Sequence, residues 1–261
     1  MKRLSLMRTI FELTLIVAVI VLAFRPPSPD LTWRERVVHR VPTKEKLVAL
    51  TFDDGPHPTF TPEILQILDK YQVKATFFMI GERMEKYPDI AKEVFTRGHV
   101  IGNHTYTHPY NIEEETQEQV IWELKKCEQV IERITGKRSH LFRPPRGLVN
   151  GKIVRIAEEE GYRVILWTVS ADHHDAPTPQ LMAERVLKQI CPGGIILAHD
   201  GRVGIRWKDV VATPIIIKSL IRQGYQFVTI PELLRVGNIT KRALSLPILE
   251  MPFLFVITAK P

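Results

Sequence analysis

Between Leu47 and Arg235, short apolar runs alternate with longer amphipathic stretches. The runs fall at residues 47–52, 75–80, 99–102, 141–142, 164–167, 195–198 and 227–230. Each is short enough for a buried strand, and most of the intervals are long enough for a helix. Residues 117–134 show the helical period most clearly, with Val120, Ile121, Leu124, Cys127, Val130 and Ile131 on one stripe. Thr61-Pro62-Glu63 reads as a helix start, with a capping residue, then proline, then an acidic first turn. Seven strands in βα alternation predict a parallel sheet. The expected fold is α/β, a distorted (β/α) barrel of about seven parallel strands.

The two ends of the chain differ from this middle. Lys2, Arg3 and Arg8 precede an apolar run over residues 13–24, which stops at Arg25-Pro26-Pro27. A basic start, a short apolar core and a sharp stop predict a targeting segment at residues 1–24, either a cleaved signal peptide or an uncleaved membrane anchor. Either form puts the rest of the chain outside the cytoplasm. Residues 25–46 are rich in proline and charge and read as a stalk. Residues 47–235 are the expected catalytic domain and 236–261 a C-terminal tail.

Charge sharpens that division. The net charge is +7 over 261 residues, yet residues 47–235 hold 24 basic and 24 acidic side chains. A nucleic-acid-binding domain would carry its basic excess on the folded unit, so no nucleic-acid partner is expected. Basic ends suit a membrane surface or an anionic cell envelope. The two cysteines, Cys127 and Cys191, are expected as unpaired thiols.

Polar residues gather where the strands end. The run 47–52 leads straight into Asp53-Asp54-Gly55-Pro56, two carboxylates before a turn. Neighbours on a strand face opposite ways, so both can serve one site only where the strand stops. His104 and His108, four apart after the third run, are expected one helical turn apart on one face, able to reach one metal ion. Two imidazoles and one carboxylate, Asp54 being available, are the donor set of a catalytic zinc site with an open position. Asp53 then stands ready to take a proton. Arg143 in Arg143-Pro144-Pro145-Arg146-Gly147, the polar stretch 168–175, and His199 in Leu197-Ala198-His199-Asp200 follow later strands. The carboxyl ends of parallel strands are where α/β folds build sites.

These pieces together resemble the polysaccharide deacetylase family. The matching motifs are Thr51-Phe52-Asp53-Asp54-Gly55-Pro56, His104-Thr105-Tyr106-Thr107-His108, Arg143-Pro144-Pro145 and Leu197-Ala198-His199. They span about residues 45–235, and the first two together are highly specific. The resemblance implies hydrolysis of N-acetyl groups on an amino-sugar polymer or oligomer of the cell envelope. It implies Asp54, His104 and His108 as ligands of a divalent ion, zinc or alternatively cobalt. It implies Asp53 as general base held by Arg143, His199 as general acid, and a backbone N–H of the turn 145–147 as oxyanion donor.

Two departures from the family pattern stand out. Arg146 occupies a place usually held by an aromatic residue, and an arginine there suits an anionic group on the substrate. His173 and His174 stand where the family has Asp-Trp, leaving Asp172 and Asp175 as candidate carboxylate partners for His199. Two other readings stay open at this level: a metal-dependent amide or formyl hydrolase, and a non-catalytic glycan-binding protein on the same scaffold.

Overall fold

The structure, a computed structural model, describes residues 32–172, 176–201 and 206–245. Strands β1 (Leu47–Asp53), β2 (Thr76–Met79), β3 (Val100–Asn103), β4 (Leu141–Phe142), β5 (Arg163–Val164), β6 (Val169–Ser170) and β7 (Gly194–His199) form a curled parallel sheet in the order β5-β4-β3-β2-β1-β7-β6. A short β8 (Gln226–Phe227) pairs with the start of β1. Around them run helices α1 (Trp33–Arg36), α2 (Phe60–Lys70), α3 (Gly81–Lys86), α4 (Pro88–Thr96), α5 (Gln117–Thr135), α6 (Gly151–Glu159), α7 (Pro179–Gln189), α8 (Trp207–Arg222) and α9 (Ile230–Ser245). The expected distorted barrel of seven parallel strands is therefore present.

Three local expectations shift. The run 164–167 holds only the end of β5, and β6 forms separately at Val169–Ser170. The run 227–230 ends in a helix, because Ile230 opens α9 with its N–H on the Thr76 hydroxyl. The cap of α2 is Thr59, since the helix already begins at Phe60. Thr61 has another task at the site.

The strands at the two ends of the sheet, β5 and β6, make no ladder with each other among the described residues. The chain before β1 lies near that gap. Val38 bridges Ile165, Arg40 bridges Gly194, and Val37 and Val41 are buried. Residues 32–46, expected as part of a stalk, thus pack on the barrel, as their apolar positions allow. The boundary expected at 235/236 falls inside α9. The targeting segment expected at residues 1–24 and the apolar stretch 246–259 lie outside the described residues. Among the described residues no helix is long and apolar enough to cross a membrane. Cys127 and Cys191 are both free thiols, as expected.

Every residue of β1 is buried, because a central parallel strand is covered on both faces. Val48, Leu50 and Phe52 pack outward against the helices with Ile64, Leu65 and Leu68 of α2. Leu47 and Ala49 pack in a separate inner cluster with Phe78, Leu141, Ile165 and Ile195. The period of two puts Thr51 and Asp53 on that inner face as well.

Candidate active site

Asp53 is the last residue of β1 and points inward by strand alternation. Asp54 would point outward if the strand continued. Its φ of 72° breaks the alternation and turns its carboxylate to the same side. Aspartate tolerates the left-handed region better than most residues. The turn is held from β7. The Asp200 carboxylate accepts the Thr61 hydroxyl at 2.6 Å, and Thr61 in turn accepts the His57 N–H at 2.8 Å. A Cβ on Gly55 would lie 2.3 Å from Asp200 Oδ2, so only glycine fits there. Burial pushes the Asp200 carboxyl up to about 7, with Asp54 and Asp53 adding to the rise against the Thr61 bond.

His104 and His108 do converge on Asp54, but not through a helical turn. The segment between them is irregular, with φ of 67° at Thr105 and 62° at His108. The spacing of four works here because two reversed residues fold the chain back on itself. Asp54 Oδ1 lies 3.5 Å from His104 Nε2 and 3.2 Å from His108 Nε2. One ligand atom from each of the three residues lies within 4.8 Å of the others, and all three residues are buried.

The donor chemistry fits a divalent ion. His104 Nδ1 lies 2.7 Å from the Arg143 carbonyl, which can only accept, so Nδ1 carries the proton. The Nε2 lone pair then faces the Asp54 carboxylate, and positive charge, a proton or a divalent ion, belongs between them. A backbone carbonyl behind a ligating histidine is a common orienting contact in metal sites. The surrounding carboxylates also favour positive charge at this point. Burial opposes charge on His104, yet the Asp53 and Asp54 carboxylates raise its pKa above the usual value. Burial likewise opposes charge on Asp54, yet bonds to His104 and His108 hold it well below the ordinary carboxylate range.

Arg143 is fully buried, which excludes a surface ion pair. Its Nη1 donates to Asp53 Oδ1 at 2.6 Å and to the Thr51 hydroxyl at 2.8 Å. Nε and Nη2 donate to the carbonyls of Ile165 and Leu166, and the guanidinium stacks 4.1 Å above the Phe78 ring. One residue thus fixes the carboxylate of Asp53 with its side chain and the imidazole of His104 with its carbonyl.

His199 ends β7, paired in register with Asp53. Its Nδ1 lies 3.8 Å from Asp172 Oδ2, within ion-pair range but beyond a hydrogen bond. Asp175 lies outside the described residues. Two residues not anticipated from the sequence complete this cluster. Arg206 Nη1 lies 3.7 Å from Asp172 and 3.7 Å from Asp209, whose other oxygen accepts the His199 N–H at 3.1 Å. Burial pulls the His199 pKa down to about 4, aided by Arg206 and opposed by Asp54, Asp53 and Asp172. The signs give a test. Removing a neighbouring anion destabilises the imidazolium, so Asp172→Asn lowers the His199 pKa; removing a cation does the reverse, so Arg206→Gln raises it. Ring-nitrogen NMR of the metal-free protein should show these opposite shifts, and shifts of one sign would reject the arrangement.

Arg146 is exposed at the rim, with φ 58°. Its guanidinium lies 3.9 Å over the Tyr110 ring, and Nη1 reaches the Tyr110 carbonyl at 3.3 Å. In the turn of Pro145–Gly147, proline has no N–H and Gly147 N–H donates to Pro144. The Arg146 N–H is the donor that remains.

Comparison with known proteins agrees with the motifs. The family model for polysaccharide deacetylase matches residues 40–165. A peptidoglycan-N-acetylglucosamine deacetylase of Bacillus cereus is 41% identical over 213 residues, covering 80% of this chain and 95% of the relative. A peptidoglycan-N-acetylmuramic acid deacetylase of Bacillus subtilis is 32% identical, covering 74% of this chain and 73% of the relative. The crystal structure of the Bc1960 peptidoglycan N-acetylglucosamine deacetylase superposes with a TM-score of 0.73 at 36% identity, covering 76% of this chain and 92% of that one. Motifs, barrel and identity over four-fifths of its length place this chain in the polysaccharide deacetylase family.

Proposed function

We propose that this protein is an exported, divalent-ion-dependent enzyme that removes acetyl groups from amino sugars of peptidoglycan, releasing acetate and a free amine. One observation carries the reading. The buried Asp53–Arg143 pair and the Asp54, His104 and His108 donor set meet at one end of the barrel, with Asp53 Oδ2 3.9 Å from His104 Nε2. A scaffold retained only for binding has no need of a buried carboxylate held for proton transfer beside an intact donor set.

Asp54, His104 and His108 are the residues that would hold the ion, zinc being the best match to two imidazoles and one carboxylate. Bound there, the ion supplies Lewis-acid polarisation of the acyl oxygen and of the attacking water. Asp53 takes the proton of the water as its oxygen adds to the acyl carbon. The Arg143 guanidinium holds the Asp53 carboxylate in place. The Arg146 N–H offers a hydrogen bond to the oxygen that gains negative charge. His199 delivers a proton to the sugar nitrogen as the C–N bond breaks. An imidazole with its pKa near 4 is neutral at rest, so the proton that Asp53 takes from the attacking water balances the one that His199 delivers. Asp172, 3.8 Å from Nδ1, adds to Asp54 and Asp53 in stabilising its charged form.

The rim supports a peptidoglycan substrate in particular. A guanidinium stacked on Tyr110, with Nη1 on the Tyr110 carbonyl and Asn111 Oδ1, is held in place and keeps Nε and Nη2 for a carboxylate. Peptidoglycan carries such groups, on its peptide stems and on muramic acid residues without a stem, and a polymer of N-acetylglucosamine alone does not. Export is supported by the basic start and the apolar run of residues 13–24. Acetate release from peptidoglycan, chitooligosaccharides and poly-N-acetylglucosamine tests the assignment. Release is expected from peptidoglycan above the others. Failure on all three under metal-replete conditions would reject it.

A further inference from the structure

The turn that carries the two imidazoles, residues 104–108, belongs to no helix or strand, yet each of its five N–H groups has a partner. His104 N–H bonds the Met79 carbonyl at 3.1 Å, Thr105 N–H bonds Asn103 Oδ1 at 2.9 Å, and His108 N–H bonds the Thr105 hydroxyl at 3.1 Å. The other two, on Tyr106 and Thr107, both donate to Oε2 of Glu123, at 2.7 and 2.8 Å. The Thr107 hydroxyl donates to Oε1 of the same carboxylate.

Glu123 sits on α5 at the edge of its buried stripe, three residues after Val120 and beside Leu124. It is only 6% exposed, and among the described residues no Lys, Arg or His forms an ion pair with it. A carboxylate buried without a cation persists only where hydrogen-bond donors occupy its lone pairs. Here the donors all come from the turn. The dependence runs the other way as well. Thr105 and His108 are both in the left-handed region without being glycine, so the turn is not a conformation the free chain favours. Something outside it must hold it.

We propose that Glu123 is a positioning residue for the ion-ligating turn. Its carboxylate gathers the Tyr106 and Thr107 N–H groups and thereby fixes the reversal that brings His108 Nε2 to 3.2 Å from Asp54. Affinity for the divalent ion then depends on a side chain that is neither an ion ligand nor a substrate contact. The inference rests on Asp54, His104 and His108 holding the ion.

The test is titration of the metal-free full-length protein with zinc and with cobalt against a chelating indicator, well below the unfolding temperature. Glu123→Gln keeps one oxygen for the Tyr106 and Thr107 N–H groups and sets its NH2 group against the Thr107 hydroxyl alone, so it should weaken binding by no more than about tenfold; Glu123→Ala removes every acceptor and should weaken it up to about 100-fold, the range seen when supporting contacts of metal ligands are lost. Thr107→Val, which removes one of the three bonds, should fall between wild type and Glu123→Ala. Two controls separate positioning from general destabilisation. Val186→Ala opens a cavity in the core under α7 and should lower the unfolding midpoint while leaving affinity unchanged. Glu85→Ala removes the exposed bond from the Tyr106 hydroxyl and should also leave affinity unchanged. Wild-type affinity in both Glu123 variants would overturn the proposal. If the wild-type protein itself bound no divalent ion, the ligand assignment would fail instead.

Discussion

Asp53→Asn is expected to keep the divalent ion and lose turnover by roughly 10²–10⁴-fold, the usual contribution of a positioned general base. The two halves of that result come from different contacts. Retention follows because, among the described residues, Asp54, His104 and His108 alone form the close donor set. Loss follows because an amide cannot take up the proton of the attacking water. The substitution is also gentle on the fold. The Asn carbonyl still accepts the Arg143 Nη1–H bond that now goes to Asp53 Oδ1. Metal analysis together with steady-state rates checks both halves. If Asp53→Asn lost the ion while Asp54→Asn kept it, the two aspartates would exchange roles.

Arg143→Met should be the most damaging single change to stability among the site residues. The guanidinium is fully buried and donates to Asp53, Thr51, Ile165 and Leu166. Methionine fills part of the space but leaves the Asp53 carboxylate buried without its counter-ion. Breaking a buried pair by removing one partner costs about 3–5 kcal/mol. The His104 contact to the Arg143 carbonyl is backbone-borne and survives in principle, so ion binding should suffer less than stability. Urea unfolding of the metal-free protein measures this. A loss below about 1 kcal/mol would mean that water or a rearranged neighbour replaces the guanidinium, and that Asp53 is not held as described.

The sequence carried the site further than it carried the fold's details, for identifiable reasons. Strand ends are legible because an apolar run that stops at charged residues and a glycine turn has few other meanings, so Asp53, Asp54 and His199 were found where they stand. His104 and His108 were also found, but through the wrong geometry. Spacing of four suggests a helix, and nothing in Thr105-Tyr106-Thr107 announces two left-handed residues. Thr51 was readable in principle, lying two residues before Asp53 on the same strand face. Glu123 left a fainter trace, as an acidic residue bordering an apolar helical stripe. Arg206 and Asp209 left none, since their role depends on how β7 and α8 meet. Residues 32–46 were misjudged because proline and charge outweighed the valines at 37, 38 and 41, which find partners only once the sheet is curled.

The central claim is that Asp54, His104 and His108 hold a divalent ion on which amide hydrolysis depends. The measurement is acetate release from peptidoglycan by protein stripped with a chelator and then reloaded with zinc. The account predicts that stripping abolishes release and that about one equivalent of zinc restores it, with no restoration in His104→Ala. Undiminished acetate release from protein shown to be free of metal would contradict it.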